Sequence, residues 1–530
     1  SMRRRIFTRE NLPKITLTFI LLVFVYTILF YHKYTVNEGK RRGVIKWDVI
    51  SYYGYLPATF IYGDVTLEFI GDGSFKNDNK FWYTKLDNGK RLIVTSMGLS
   101  YLYAPFFFAA HGLAPLVDQA QDGYSNIYQL MLVMSGLFYS ILGLILLARF
   151  LRSHFDPVVT SVVVLVVGLG TNLYYYSTLE AAMPHSHNFF LVTLFMIMVV
   201  RWYRNPAWYN AVFTGVVFGL VVLVRPTNIL LFFFLLLYGV KNLAGFGDRV
   251  RFYLQKWPLL LLMTAVFFIP WIPQFLYWKE MSGQFLFFSY GAKEASFDFA
   301  RPHILQALFS FRKGWLIYTP VMLFALAGFP VLYRRARGWF YALTIYVVAM
   351  IYVLSSWWSW WYGGGFGLRA FIAMYPLLAF PMAMLLHELR SRTRKKTFVA
   401  VTTAMLILTL YQVFQTRQFV TQAIHYSGTT ARSYFENFLK FRPTPASWKM
   451  LELPDYNLAR LGIYVTYSTG RDVEAWRAMD KEKSLDKIRR EIKADPRVEK
   501  QIRRYAEDAE IPPDSAMNHV LQRMYERKTK

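Results

Sequence analysis

The sequence predicts an all-α polytopic membrane protein: about eleven transmembrane helices, interfacial helices in a first outer loop, and a small helical tail. Three observations carry this. Of 530 residues, 55% are apolar and 18% are aromatic. Long apolar runs recur from Leu17 to Phe414, more than a water-soluble core can bury. The formal charge is +27, and most of the basic excess lies between those runs. Disorder is excluded for this stretch, because disordered chains are poor in aromatics and rich in charge. There is no glycine period and no cysteine, which excludes collagen-like and disulfide-stapled folds, thiol catalysis and Cys-ligated zinc.

A helix crosses the hydrocarbon with about 20 mostly apolar residues. On that criterion spans are expected near 15–34, 125–148, 157–173, 187–200, 208–223, 229–240, 257–276, 315–333, 339–356, 371–387 and 397–416. The first is an anchor rather than a cleaved signal, since its apolar run is too long and no small-residue cleavage site follows. The pair 208–223 and 229–240 is broken by Arg225-Pro226 and reads as a tilted hairpin whose turn is buried in protein.

Basic residues orient the bundle. One set of ends carries Arg3, Arg4, Arg5, Arg9 and Lys14, then Arg149, Arg152, Arg201 and Arg204. It continues with Lys241, Arg249, Arg251 and Lys256, then Arg334, Arg335 and Arg337, and finally Arg390, Arg392, Arg394, Lys395 and Lys396. The short opposite loops carry far fewer. The positive-inside rule puts the first set in the cytoplasm. Residues 1–417 then form a membrane module whose first outer loop is 35–124, and 418–530 form an external helical domain or extension. Segment 92–117 is apolar enough to span. Crossing there would reverse every later loop against the charge count, so it reads as a bent interfacial or re-entrant helix broken near Pro105. In the tail, 472–492 and 496–509 read as helices, with breaks at Asp495-Pro496 and Pro512-Pro513.

Ionisable groups near membrane depth are costly and therefore candidates for function. They collect on the outer side. In Lys46-Trp47-Asp48-Val49-Ile50-Ser51-Tyr52-Tyr53-Gly54-Tyr55, helical spacing puts Asp48, Ser51, Tyr52 and Tyr55 on one face, aimed at a cavity. Val49, Ile50 and Tyr53 would then meet the membrane interface. A plain helix-capping role for Asp48 is the alternative. Glu180 with His185 and His187 forms an outer turn able to contact a metal, a phosphate or a sugar; His-x-His alone is a weak zinc signal. Arg225, at a broken helix, calls for an anionic partner or a wet cavity, and a guanidinium fork suits phosphate oxygens; the alternative is an arginine that snorkels to the outer head groups. Trp357, Trp358, Trp360 and Trp361 precede a glycine run and Arg369, a pattern suited to a sugar ring or acyl chain beside a phosphate. The loop 277–313, with Lys279, Glu280, Tyr290, Lys293, Glu294, Arg301 and His303, is a gating or acceptor-binding candidate.

These pieces, in this order, resemble the GT-C glycosyltransferases of membranes over roughly residues 10–420. The stretches WDVISYYGYLP, LVRPTN and SWWSWWYGGGFGLR are similar to bacterial relatives of protein mannosyltransferases and lipid A aminoarabinose transferase. Ala494-Asp495-Pro496 is similar to C-termini of Bacteroidetes membrane proteins. The resemblance implies a GT-C-like bundle and a polyprenyl-phosphate sugar donor, such as an undecaprenyl phosphate. It implies transfer to a protein, lipid or glycan hydroxyl on the periplasmic face of a bacterial inner membrane. Asp48 maps onto the family's catalytic carboxylate. Many members carry an acidic pair there; Trp47-Asp48 does not, so no cofactor is required, and a divalent cation is an open alternative that is not predicted. Arg225, Arg369, His185 and His187 would hold the donor phosphate, and Tyr52, Tyr55, Glu180 and the four tryptophans the sugar. Partners would be membrane lipids, the donor and the acceptor, with no nucleic acid. A lipid-linked glycan flippase, or an O-antigen-type ligase or polymerase, are the alternatives. The flippase would call for an inverted repeat, which is not apparent.

The charge asymmetry makes a topological prediction. A membrane-impermeant label applied to intact spheroplasts should reach the chain after Gln418. Labelling only after lysis would refute the orientation.

Overall fold

The computed structural model describes residues 8–31, 43–71, 78–289, 296–391 and 395–529. Arg3, Arg4, Arg5, Arg392 and Arg394 of the basic set, and Tyr290, Lys293 and Glu294 of the loop, lie outside the described residues. The chain divides into two compact units. One comprises 1–291, 319–351 and 370–413; the other comprises 292–318, 352–369 and 414–530.

The first unit opens with α1 (Leu12–Tyr31) and α2 (Asp48–Phe60). A hairpin of β1 (Tyr83–Lys85) and β2 (Arg91–Ile93) follows, then α3 (Gly98–Leu113). The bundle continues with α4 (Asn126–Arg152), α5 (Pro157–Leu169), α6 (Pro184–Arg204), α7 (Trp208–Val224) and α8 (Leu231–Leu237). After α9 (Leu243–Gln255) come α10 (Trp257–Phe267), α11 (Ile272–Ser282), α12 (Arg337–Ser355), α13 (Tyr375–Ser391) and α14 (Lys395–Val420). Helices α12 and α14 run on into the second unit at their C-terminal ends.

Among the described residues, seven helices are long and apolar enough to cross a membrane: Arg9–Tyr31, Asn126–Arg152, Pro184–Arg204, Trp257–Ser282, Arg337–Ser355, Arg369–Ser391 and Lys395–Val420. Three expected spans appear as shorter apolar helices, Pro157–Leu169, Trp208–Val224 and Pro226–Leu237. The expected span 315–333 is instead three short helices, Trp315–Tyr318, Met322–Ala327 and Phe329–Arg335. Pro320 and Pro330 interrupt it by removing backbone donors. Segment 92–117 also differs from expectation: α3 runs through Pro105 without a break and ends in a 3-10 turn at Ala114–Val117. The two hairpins, β1–β2 and one in the tail, qualify the all-helical expectation.

Small residues set the closest helix approaches. On α7, Gly215 and Gly219 face the carbonyls of Met263 and Phe267 on α10, where a Cβ would collide. Gly136 of α4 meets the Ala181 carbonyl the same way. Without a hydrophobic drive between helices in lipid, such contacts do the packing.

The second unit gathers the loop 296–318, the tryptophan–glycine loop and the tail. Its tail core packs Tyr467, Trp476, Ile488, Ile492, Ile502, Val520 and Leu521. The helices Lys481–Ala494, Pro496–Asp508 and Pro513–Lys528 supply most of it; the second matches the expected 496–509, the expected 472–492 is divided into Val473–Ala478 and Lys481–Ala494, and the last is not among the helices expected. Buried Asp455 caps the short helix Tyr456–Arg460, accepts from the Tyr467 hydroxyl at 3.0 Å, and faces Arg523 at 3.6 Å.

Gly219→Leu should therefore destabilise the chain by about 1–3 kcal/mol, the usual cost of overpacking. Gly112→Ala, in open space, should be neutral or slightly stabilising. Thermal unfolding of the detergent-solubilised protein separates the two; equal melting temperatures would contradict the packing.

Candidate functional site

In the first unit, the chain before α2 is pinned to α4. Gln129, fully buried, accepts from the Val44 and Ile45 amides at 2.8 and 2.9 Å. Trp47 follows in the left-handed region at φ 51° and is exposed. A bulky residue there is strained, and such strain tends to sit at functional positions. Asp48 is the first residue of α2 and is half-buried. Two residues earlier, the Lys46 ammonium lies 3.2 Å from the Glu180 carboxylate. The fold thus joins the segment before α2 to the connection between α5 and α6, two segments the sequence leaves far apart.

The faces of α2 are not those expected. Val49 and Tyr53 are buried rather than turned to an interface. The Tyr53 ring packs edge-on against Tyr103, Phe107 and Tyr124, and its hydroxyl donates to the Gly123 carbonyl at 2.6 Å. Ser51 and Tyr55 are buried too: the Ser51 hydroxyl accepts from the Thr95 amide at 3.1 Å, and the Tyr55 hydroxyl donates to the Thr95 carbonyl at 2.6 Å. Tyr52 is half-buried. The distal half of α2 borders a cavity of about 530 Å³ shared with α3 and α11, walled by Tyr55, Phe60, Tyr101, Phe108, Leu276 and Tyr277. Its tyrosine hydroxyls are engaged by Thr95, Pro270 and Ile93, which leaves an apolar wall. Asp48 is about 10 Å from Tyr55 along the helix and is not part of that wall.

Arg225 ends α7 in extended backbone and donates to His185 Nδ1 at 3.1 Å. The imidazole therefore accepts at Nδ1 and carries its proton at Nε2. His185 is buried edge-on against Tyr176. His187, two residues on, is on a different errand. It is fully buried between Tyr103 and Tyr139, with Nε2 at 2.9 Å from the Ser135 hydroxyl and Nδ1 facing the Met183 carbonyl. Its place is that of a packed interior histidine.

In the second unit, Trp360 and Trp361 are buried with Ala459 and pack against Tyr456 and Tyr464. Trp357 and Trp358 are half-buried; Trp357 packs on Phe297 and Trp358 lies under the Arg460 guanidinium. These rings join the loop to the tail. The glycine run serves a turn: Gly363 and Gly367 have φ of 68° and 60°.

The tertiary structure adds a residue that sequence reading passed over. Lys313 is buried, yet its ammonium donates to the Tyr426 carbonyl at 2.6 Å and to the Gly365 carbonyl. Burial, then the charges of Arg369 and Arg312, push it well below the usual lysine range. Arg312 is itself lowered to about 10 by burial; it lies over Trp361 and donates to the Glu452 carbonyl at 3.2 Å. Only the direct neighbourhood of Arg312 and Lys313 before an apolar stretch hinted at this cluster. Elsewhere in the loop, Lys279 bonds the Gly283 carbonyl, Glu280 pairs with Lys90 at 2.8 Å, and Arg301 pairs with Asp298 at 2.7 Å. Among the described residues, no group of three His, Cys, Asp or Glu side chains could hold a metal.

Fold and clusters together define a helical membrane protein bearing an acidic helix start, an Arg–His couple and a buried group of cations. No family model matches the chain, and no curated protein matches it. Several solved structures are similar, among them two oligosaccharyltransferase structures. One is the oligosaccharyltransferase of Archaeoglobus fulgidus in the apo form, with 15% identity and a TM-score of 0.44, covering 82% of this chain and 60% of that one. The other is the archaeal oligosaccharyltransferase AglB from Archaeoglobus fulgidus, in complex with an inhibitory peptide and a dolichol-phosphate, with 14% identity and a TM-score of 0.41, covering 81% and 60%. This chain spans about 60% of the length of the structures it matches.

Two histidines of the second unit give a pH dependence. His303, packed on Tyr464 and Trp360, is held down to about 4 by burial. His425, whose Nδ1 accepts from the Gly428 amide at 2.8 Å, is held to about 4 by burial and then by Lys313. An unfolded histidine titrates near 6.5, so the unfolded chain binds more protons between about 6.5 and 4. Stability should therefore fall as pH drops through that window, and His303→Gln with His425→Gln should flatten the profile. Tryptophan fluorescence during denaturation reads it; an unchanged slope in the double variant would contradict the assignment.

Proposed function

We propose that this chain transfers a sugar from a polyprenyl-phosphate-linked donor to an acceptor hydroxyl, as a glycosyltransferase of the bacterial inner membrane working on its periplasmic side. The observation that carries this most is the like charge gathered around the buried Lys313 by Arg369 and Arg312, a repulsion that an anionic ligand such as a phosphate would relieve. The Arg225–His185 couple offers a second set of donors of the same kind. The apolar cavity beside α2 suits an isoprenoid chain. The side of the membrane rests on the charge count, and the class rests on the sequence resemblance.

In this reading the Asp48 carboxylate takes the proton from the acceptor hydroxyl. The freed oxygen attacks the anomeric carbon, and the bond from that carbon to the phosphate oxygen breaks. The lipid phosphate leaves with the electron pair, its charge met by a guanidinium, for which Arg225 beside His185 is the candidate in the first unit and Arg369 the candidate in the second. Stabilising a developing anion with preset donors is worth several kcal/mol. His187 has no part, because its nitrogens are engaged in the interior. The proposal leaves the sugar and acceptor open.

Asp48→Asn keeps shape and removes the base, so turnover with a lipid-linked sugar should fall by about 10²–10⁴-fold while donor binding persists. Arg225→Leu, Arg369→Leu and Lys313→Met should instead weaken retention of polyprenyl phosphate. Wild-type turnover in the Asn variant would move the carboxylate role to Asp64 or Glu180. Wild-type retention in all three cation variants would end the donor assignment.

A further inference from the structure

A second cavity, of about 520 Å³, lies in the first unit and plays no part in the proposed transfer. It is walled by His154, Arg335, Trp339, Phe380, His387 and Glu388. Arg204, at the C-terminal end of α6, reaches His154 Nε2 at 3.4 Å, while His185, at the other end of α6, meets Arg225. Nineteen residues of helix separate these ends, about 29 Å, one hydrocarbon thickness. The cavity therefore belongs to the opposite membrane face from the Arg225–His185 couple.

Its chemistry is divided. The floor is aromatic: Trp339 stacks on Phe380 with centroids 3.9 Å apart, and Phe155 packs on Phe380 at 5.3 Å. The rim is charged. Arg335 forks onto Glu388 at 3.1 and 3.2 Å, with His154 and His387 on the same lining, and next to that lining Arg390 lies 3.4 Å from Asp156. Among the described residues Arg204 contacts the His154 imidazole and forms no ion pair, so it leaves a positive charge beside the cavity.

Beside the cavity runs α9, none of whose residues is buried. Leu243, Phe246, Val250 and Leu254 recur at spacings of three and four, and all are exposed. The other side of α9 is tied inward: the Arg249 guanidinium lies 3.7 Å over the Tyr203 ring and donates to the Tyr238 carbonyl. Tyr238 in turn packs edge-on against Trp339 of the cavity at 5.0 Å. A helix with this pattern lies in a membrane interface with its apolar side in the acyl region. Through Tyr238 and Trp339 this helix adjoins the cavity.

We propose that this cavity binds the phosphate headgroup of an anionic glycerophospholipid of that leaflet, with Arg204 and Arg335 at the phosphate and the Trp339–Phe380 floor against the glycerol and upper chain. Basic pockets between helices at a membrane surface take such headgroups, and a soluble anion would gain nothing from the aromatic floor or from α9.

The test uses the purified, delipidated full chain with phosphatidylglycerol and phosphatidylcholine as probes, and native mass spectrometry as the readout. Wild type should retain phosphatidylglycerol in preference. Arg204→Gln, which leaves no carboxylate unpaired, should weaken that retention about fivefold, the usual effect of one cation at the surface. Ser391→Trp, at the exposed cavity rim, should block it without removing a charge. Equal retention of both lipids by wild type would overturn the proposal, as would an unchanged preference in both variants. Displacement by sn-glycerol 3-phosphate at matched concentration would also overturn it, by showing a soluble-anion site.

Discussion

An interrupted helix in an apolar bundle must find partners for its freed backbone groups inside the protein, because lipid offers none. The end of α7 shows how this chain meets that demand. Asn228 is fully buried, donates to the Val221 carbonyl at 2.8 Å across the break, and donates to Asn188 of α6 at 2.6 Å. The Val221 carbonyl also accepts from the Arg225 amide at 3.2 Å, so one side-chain amide spans the break and fixes it to its neighbour. That fixation places Arg225 against His185, three residues before Asn188 on α6.

The second unit rests on a comparable economy with charge. A lysine ammonium in a dry interior costs several kcal/mol unless it is compensated. Here carbonyls of Gly365 and Tyr426 supply the compensation, and the glycine turn supplies the carbonyl. The left-handed Gly363 and Gly367 let the loop fold back tightly enough to present Gly365 to Lys313. The tryptophans then seal that arrangement against Tyr456 and Tyr464. Backbone geometry, aromatic packing and a buried cation therefore depend on one another in this unit.

Two surfaces of the first unit divide by chemistry along α6. At its N-terminal end are Arg225, His185 and the Lys46–Glu180 pair. At its C-terminal end are Arg204, His154 and an aromatic-floored cavity. A single helix of membrane length can hold two charged clusters apart because the hydrocarbon between them tolerates neither.

The sequence by itself determined the membrane class, because apolar runs of some twenty residues need no tertiary context to be recognised. It also determined the break at Arg225-Pro226 and the tail helix Pro496–Asp508, since proline acts locally. It marked Asp48, Arg225 and Arg369 as charges near apolar runs, and their roles remain proposals. It misjudged what depends on neighbours. Helical periodicity put Asp48, Ser51 and Tyr55 on one face but not which face was covered, and Thr95, Tyr103 and Tyr124 decided that. His185 and His187 look alike in the sequence, yet one meets Arg225 and the other Ser135. The run 315–333 is apolar enough to read as one span, but its prolines divide it into short helices. Lys313 looked like one more loop cation. Only the fold, by bringing Gly365 and Tyr426 to its ammonium, made it a buried charge.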